Sequence, residues 1–241
     1  MKKLNILILL ALLTINYSAV AFNEITISRS RQQEERIIGS FKGIAAGGSL
    51  NVKVTMGNKE SIRLEGDADA IAELNTVVID GVLTIKPKTK WSDWSRKYKR
   101  PNVTAFITAK KVSSLTMSGS GSMEVINGIN SADLVATLSG SGSIKAIANV
   151  KTFTGVLSGS GNLNLNGKAN DTNLTLSGSG QFNGKGFSVN DLSVQISGSA
   201  DVYIAASERI EAVISGSGNV FYTGNAKISK TTIGSGRVRK L

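Results

Sequence analysis

Cysteine and histidine are absent from the 241 residues, proline occurs twice, and aromatic residues make up only 5%. Without histidine or cysteine there can be no Ser-His-Asp triad, cysteine nucleophile, zinc finger, His-ligated metal or haem axial histidine. Acid–base chemistry would fall to carboxylates, Lys, Arg, Tyr and hydroxyls alone. No disulfide can form, so stability must come from packing and backbone pairing. Hydrophobic residues still make up 41% and mean hydropathy is +0.03, the composition of a folded chain. The length suits one large domain or two small ones, and all-β folds of this size are often single domains.

The first 21 residues read as an export signal. Lys2 and Lys3 form a positive start, Leu4 to Ile15 is an apolar run, and Ala19-Val20-Ala21 has the small-x-small pattern of a cleavage site. The run is short for a membrane span, and no second one follows. A lipid anchor at the cleavage site would need a cysteine. The expectation is therefore an exported chain from Phe22 with no transmembrane segment, located in the periplasm, at the outer membrane or outside the cell.

Charge is concentrated. Residues 22–85 and 112–211 each sum to −2, whereas 86–111 carry +8 and 212–241 carry +5 with no acid.

A repeat dominates the second half. Ser-Gly-Ser-Gly starts at Ser118, Ser139, Ser158, Ser177 and Ser215, appears as Ser-Gly-Ser-Ala at Ser197, and degenerates to Ile-Gly-Ser-Gly at Ile233. The spacing is 18 to 21 residues. Aligned on the tetrapeptide, the preceding residue is Met117, Leu138, Leu157, Leu176, Ile196, Ile214 or Thr232. The residue five after its first position is Met123, Ile144, Leu163, Phe182, Val202, Val220 or Val238. Apolar residues alternate outward from each corner, the strand–turn–strand pattern. Helical periodicity is missing, and a propeller blade needs about twice this length. The reading is a parallel β-helix, or β-solenoid, with rungs of 18 to 21 residues and stacked apolar columns. A motif that recurs in every rung is architecture rather than a phosphate cradle, and no P-loop Lys-Ser/Thr follows it.

The first half is less regular. Ala45 to Val54 resembles a corner and strand, Ser61–Leu64 and Val82–Ile85 read as short strands, and Asp67 to Leu74 as one helical turn with Asp67 as its cap. The expected organisation is a signal peptide at 1–21, a polar extension at 22–40 and irregular β rungs at 41–111. Regular rungs at 112–241 complete one continuous domain from 41.

The stretches FKGIAAGGSLNVKV, MGNKESIRLEGDADAIAELNTVVIDGVLTIKP and VTAFITAKKVSSLTMSGSGSMEV, with the L-x-x-SGSG series, resemble the head GIN domain family of auto-transporter adhesins. The likeness runs from about Phe41 to the end of the repeats. It implies a right-handed parallel β-helix and an exported protein of the bacterial envelope. The family offers no agreed catalytic residues, so none are assigned.

The most unusual segment is 86–101. It holds seven cations, both tryptophans and both prolines, and the bracketing prolines predict a loop leaving the strand system. Lys88, Lys90, Trp91, Trp94, Arg96, Lys97, Tyr98, Lys99 and Arg100 are the candidate ligand-binding residues. Their cations would meet phosphate, sulfate or carboxylate, and their rings would meet sugars. The plainer alternative is a connecting loop whose rings pack on the solenoid while its charges are solvated. Envelope polysaccharide, lipopolysaccharide or a surface protein are the expected partners, and nucleic acid is not. At the C-terminus, Arg237, Arg239 and Lys240 read as protection of an open solenoid edge, with anion contact as the alternative.

β-Helices also support lyases and hydrolases, which need converging carboxylates. Glu124, Asp133, Asp171, Asp191, Asp201, Glu208 and Glu211 are read as standing at different offsets from their corners, with Asp191 level with Arg209. No acid pair is announced. Threonines two before the corner (Thr116, Thr137, Thr175, Thr231) are interrupted by Val156, Gln195 and Val213, a poor lattice for ice. The expectation is a non-enzymatic, adhesin-like module without metal or cofactor. A polysaccharide-active enzyme on the same scaffold is the alternative.

Overall fold

The computed structural model describes residues 31–98 and 102–241, so the export signal expected at 1–21 lies outside the described residues. The chain is a β-solenoid of about seven turns. From Ser114 onward it runs β8 (Ser114–Gly119), β9 (Ser122–Val125), β10 (Ile129–Asn130), β11 (Asp133–Gly140), β12 (Ser143–Asn149) and β13 (Thr152–Gly159). The long strands β14 (Asn162–Gly178), β15 (Gln181–Gly198) and β16 (Asp201–Gly216) follow, then β17 (Asn219–Thr223), β18 (Lys227–Gly234) and β19 (Arg237–Lys240).

All pairing among these strands is parallel, and its register matches the alignment read from the repeat. Met117, Leu138, Leu157, Leu176, Ile196, Ile214 and Thr232 form one column. Met123, Ile144, Leu163, Phe182, Val202, Val220 and Val238 form another. All but Thr232 and Val238, at the open end, are buried. Stacked at about 4.8 Å per rung, the coil is a rod on the order of 35 Å long.

The corner explains the glycines. Gly48, Gly119, Gly140, Gly159, Gly178, Gly198, Gly216 and Gly234 stack in one column, all with positive φ. A Cβ at Gly140 would sit 2.6 Å from the Gly119 carbonyl oxygen of the rung beneath. Both the backbone conformation and the close approach of rungs require glycine there.

The first half departs from a simple coil. β2 (Gly43–Gly48) and β3 (Asn51–Met56) form a rung that pairs with β8 and β9 on one side. The chain then leaves through β4 (Ser61–Asp67), helix α1 (Ala68–Ala72) and β5 (Leu74–Ile79). It returns as β6 (Val82–Pro87), helix α2 (Trp91–Tyr98) and β7 (Thr104–Ala109). β6 pairs with β2 and β7 with β3, on the side away from β8 and β9. The β2–β3 rung, first in sequence, therefore lies between the β6–β7 rung and the β8–β9 rung in space.

Antiparallel strands close that end. β5 pairs with β6, β4 with β7, and β1 (Arg31–Arg36) with β4. Asp67 caps α1, its carboxylate accepting from the Ala70 amide. The opposite end has no such cover among the described residues. β18 pairs only with β16 and β19 only with β17, and every residue of β18 is exposed.

Candidate functional site: the basic cap

The segment expected to be a loop contains a helix. Trp91, Trp94 and Tyr98 stand at i, i+3 and i+7, so one face of α2 is aromatic and the other polar. That spacing was the signal for helix; the bracketing prolines obscured it. Trp94 and Tyr98 are buried beneath α2, and Trp94 Nε1 donates to the Ala70 carbonyl of α1 at 3.2 Å. Trp91 is half-buried and lies over the Gly47–Gly48 corner, where a Cβ on Gly48 would meet the indole at 2.4 Å. The rings pack edge to face, with Trp91 and Trp94 centroids 5.6 Å apart and Trp94 and Tyr98 5.8 Å apart. Trp94 and Tyr98 are therefore plugs of the solenoid end and not open faces for a sugar. Both belong to the hydrophobic core that runs through the coil.

The cations lie on the outside. Lys86, Lys88 and Lys90 are exposed and have no ion-pair partner among the described residues. Arg96 approaches Asp93 at 3.9 Å and Lys97 approaches Glu73 at 4.0 Å. Both pairs are loose and solvated and contribute little to stability. Lys97 also lies over the Tyr98 ring at 5.1 Å. Its hydrogen bond to Tyr98, then the Tyr98, Glu73 and Asp69 charges, hold its ammonium above the ordinary lysine value. Lys99 and Arg100 lie outside the described residues.

Beside the cap runs a groove of about 610 Å³ that sequence reasoning did not find. Phe41 and Gly43 line it with Lys42, Lys110, Lys111 and Ser114. Lys110 is held by Glu60 at 3.1 Å. Its sequence signal was the +8 of 86–111, to which Lys110 and Lys111 contribute.

The acids are less dispersed than expected. Asp133, Asp171 and Asp191 all occupy one outward column, Asp171 and Asp191 as direct partners on adjacent rungs. The column continues into Arg209 and Lys227. Arg209 binds Asp191 at 3.2 Å and Glu211 at 3.7 Å, so a cation already engages these carboxylates. The threonine series does line up across the rungs, interrupted by Val156, Gln195 and Val213. Outward aromatics elsewhere are also engaged. Tyr203 and Phe221 stack at 4.8 Å, and Lys185 covers the Tyr203 ring.

No curated protein matches this chain. Solved structures share its fold. A "putative adhesin" from Bacteroides fragilis superposes with a TM-score of 0.77 at 19% identity, over 89% of this chain and 98% of that one. A "putative lipid binding protein" from Parabacteroides distasonis gives 0.71 at 22% identity, over 89% and 98%. A "putative adhesin" from Parabacteroides merdae gives 0.63 at 16% identity, over 89% and 97%. Residues 40–226 match the family model described as "Putative auto-transporter adhesin, head GIN domain", and the chain belongs to that family.

Proposed function

We propose that this chain is a non-enzymatic, adhesin-like binding module of the bacterial envelope or surface, and that it contacts polyanions through the basic cap. The observation that carries the reading is the division of labour in α2 and the segment leading into it from β6. Its buried aromatic face mounts the helix rigidly on the solenoid, while Lys86, Lys88, Lys90, Arg96 and Lys97 face water as a ridge with little local neutralisation. A rigid cationic ridge meets phosphate, sulfate or carboxylate groups without reordering, and its attraction is long-ranged at low salt. Acidic polysaccharide and lipopolysaccharide present such groups in repeating series. Ring stacking by Trp94 and Tyr98 has no part in this contact, since both are buried.

The test uses the chain from Phe22 onward with alginate and with purified lipopolysaccharide, at about 50 and about 300 mM salt. Beside it runs a variant with Lys88, Lys90, Arg96, Lys97, Lys99 and Arg100 changed to Ser. Binding should weaken steeply with salt and fall at least about tenfold in the variant. Equal binding by both proteins, or none by either, overturns the reading.

A further inference from the structure

The two ends of the rod are treated oppositely. One carries two helices and antiparallel strands, whereas among the described residues nothing pairs with the far side of β18 and β19. The last rung also breaks the pattern of the rungs before it, although Ile228 and Val238 continue the apolar columns of Ile210 and Val220. In the inward columns, Ala212 is followed by Lys230, Ile214 by Thr232 and Tyr222 by Lys240. In the outward columns, Ser215 is followed by Ile233, which is 71% exposed. Leu241, just past β19, is 65% exposed, and its amide donates to the Tyr222 carbonyl. Lys230 and Lys240 thus stand where a buried alanine and a buried tyrosine stood, and Ile233 stands where a serine stood.

Pure edge protection accounts for the inward lysines but not for the two outward aliphatics. Addition of another strand, from this chain or another, would set side chains against Lys230 and Lys240 in columns that no longer continue. A flat anionic amphiphile fits both features. Lys227, Lys230, Arg237, Arg239 and Lys240 supply five cations with no acid after residue 211. Ile228, Ile233 and Leu241 supply exposed aliphatic surface at the same level. The unpaired edge amides suit hydrated headgroups rather than the hydrocarbon interior. We infer that this end docks on an anionic lipid leaflet, end-on, at headgroup depth. The inference is independent of the cap reading. Together they make the rod a spacer with a lipid-facing base and a polyanion-facing tip.

Co-sedimentation of the chain from Phe22 tests this, with phosphatidylcholine vesicles containing phosphatidylglycerol against phosphatidylcholine alone. One variant carries Lys227→Gln, Arg237→Gln and Arg239→Gln; a second carries Ile233→Ser and Leu241→Ser; a third carries the cap substitutions. The unsubstituted chain should pellet only with anionic vesicles and be released by salt. The first variant should bind at least about tenfold more weakly, the second several-fold more weakly, and the third much as the parent does. Circular dichroism checks that each is folded. Absence of binding, binding unmoved by the first two variants, or loss confined to the cap variant overturns the inference. A stable dimer of the unsubstituted chain by analytical ultracentrifugation, abolished by the end variants, would overturn it too, because a second copy would then occupy the edge.

Discussion

At the residue scale the repeat has two glycine columns with different physics. Gly140 needs a positive φ of 113° and also close approach to the rung beneath. Gly142 lies two residues on, where only the approach matters, and the corresponding position three rungs later is Ala200, which is buried. Gly140→Ala should therefore destabilise by about 2 to 4 kcal/mol, and Gly142→Ala by clearly less. Denaturant unfolding of the two variants checks the order; equal losses would contradict it. Thr172 is the converse case. It stands in the column between Phe153 and Leu192, is 1% exposed, and its Oγ1 has no hydrogen-bond partner. Thr172→Val keeps the shape and removes an unsatisfied hydroxyl, so it should stabilise by about 1 kcal/mol in the same assay. Spacing revealed both glycine columns. The inward orientation of Thr172 is likewise legible from its register, but the missing partner depends on what surrounds it in space.

At the scale of the element, α2 shows how a local pattern can be masked. Pro87 and Pro101 argued for a loop, yet Trp91, Trp94 and Tyr98 had helical spacing, and burial of that face decided the outcome. Isolated helices this short are marginal in water, so tertiary packing must hold α2 together. Trp94→Ala should cost about 3 to 5 kcal/mol and loosen the cap first. Hydrogen exchange would show early loss of protection in β6 and β7 while β14 to β16 stay protected; uniform loss would mean the cap and coil unfold as one unit. The cations around these rings were evident from composition. Which of the nine candidate residues face solvent was not, because proximity in sequence mixes both faces of a helix.

For the whole molecule, the open end governs association. A solenoid whose last rung continued its apolar columns would template another copy, and Lys230 and Lys240 interrupt that continuity with inward charge. Restoring the columns with Lys230→Ala and Lys240→Tyr, the residues of the preceding rung, should make the rod associate end to end. Sedimentation velocity would register the larger species, and a purely monomeric variant would show that those lysines are not the barrier. The repeat alone specified the coil, its pitch in residues and the register of nearly every core column, because in a solenoid each rung contacts only its neighbours and sequence period becomes spatial period. The cap escaped such reading. Placement of β6 and β7 beneath β2 and β3 and the turning of Trp94 and Tyr98 into plugs depend on contacts between segments with no common period. Only the three-dimensional path of the chain decides which of those contacts form.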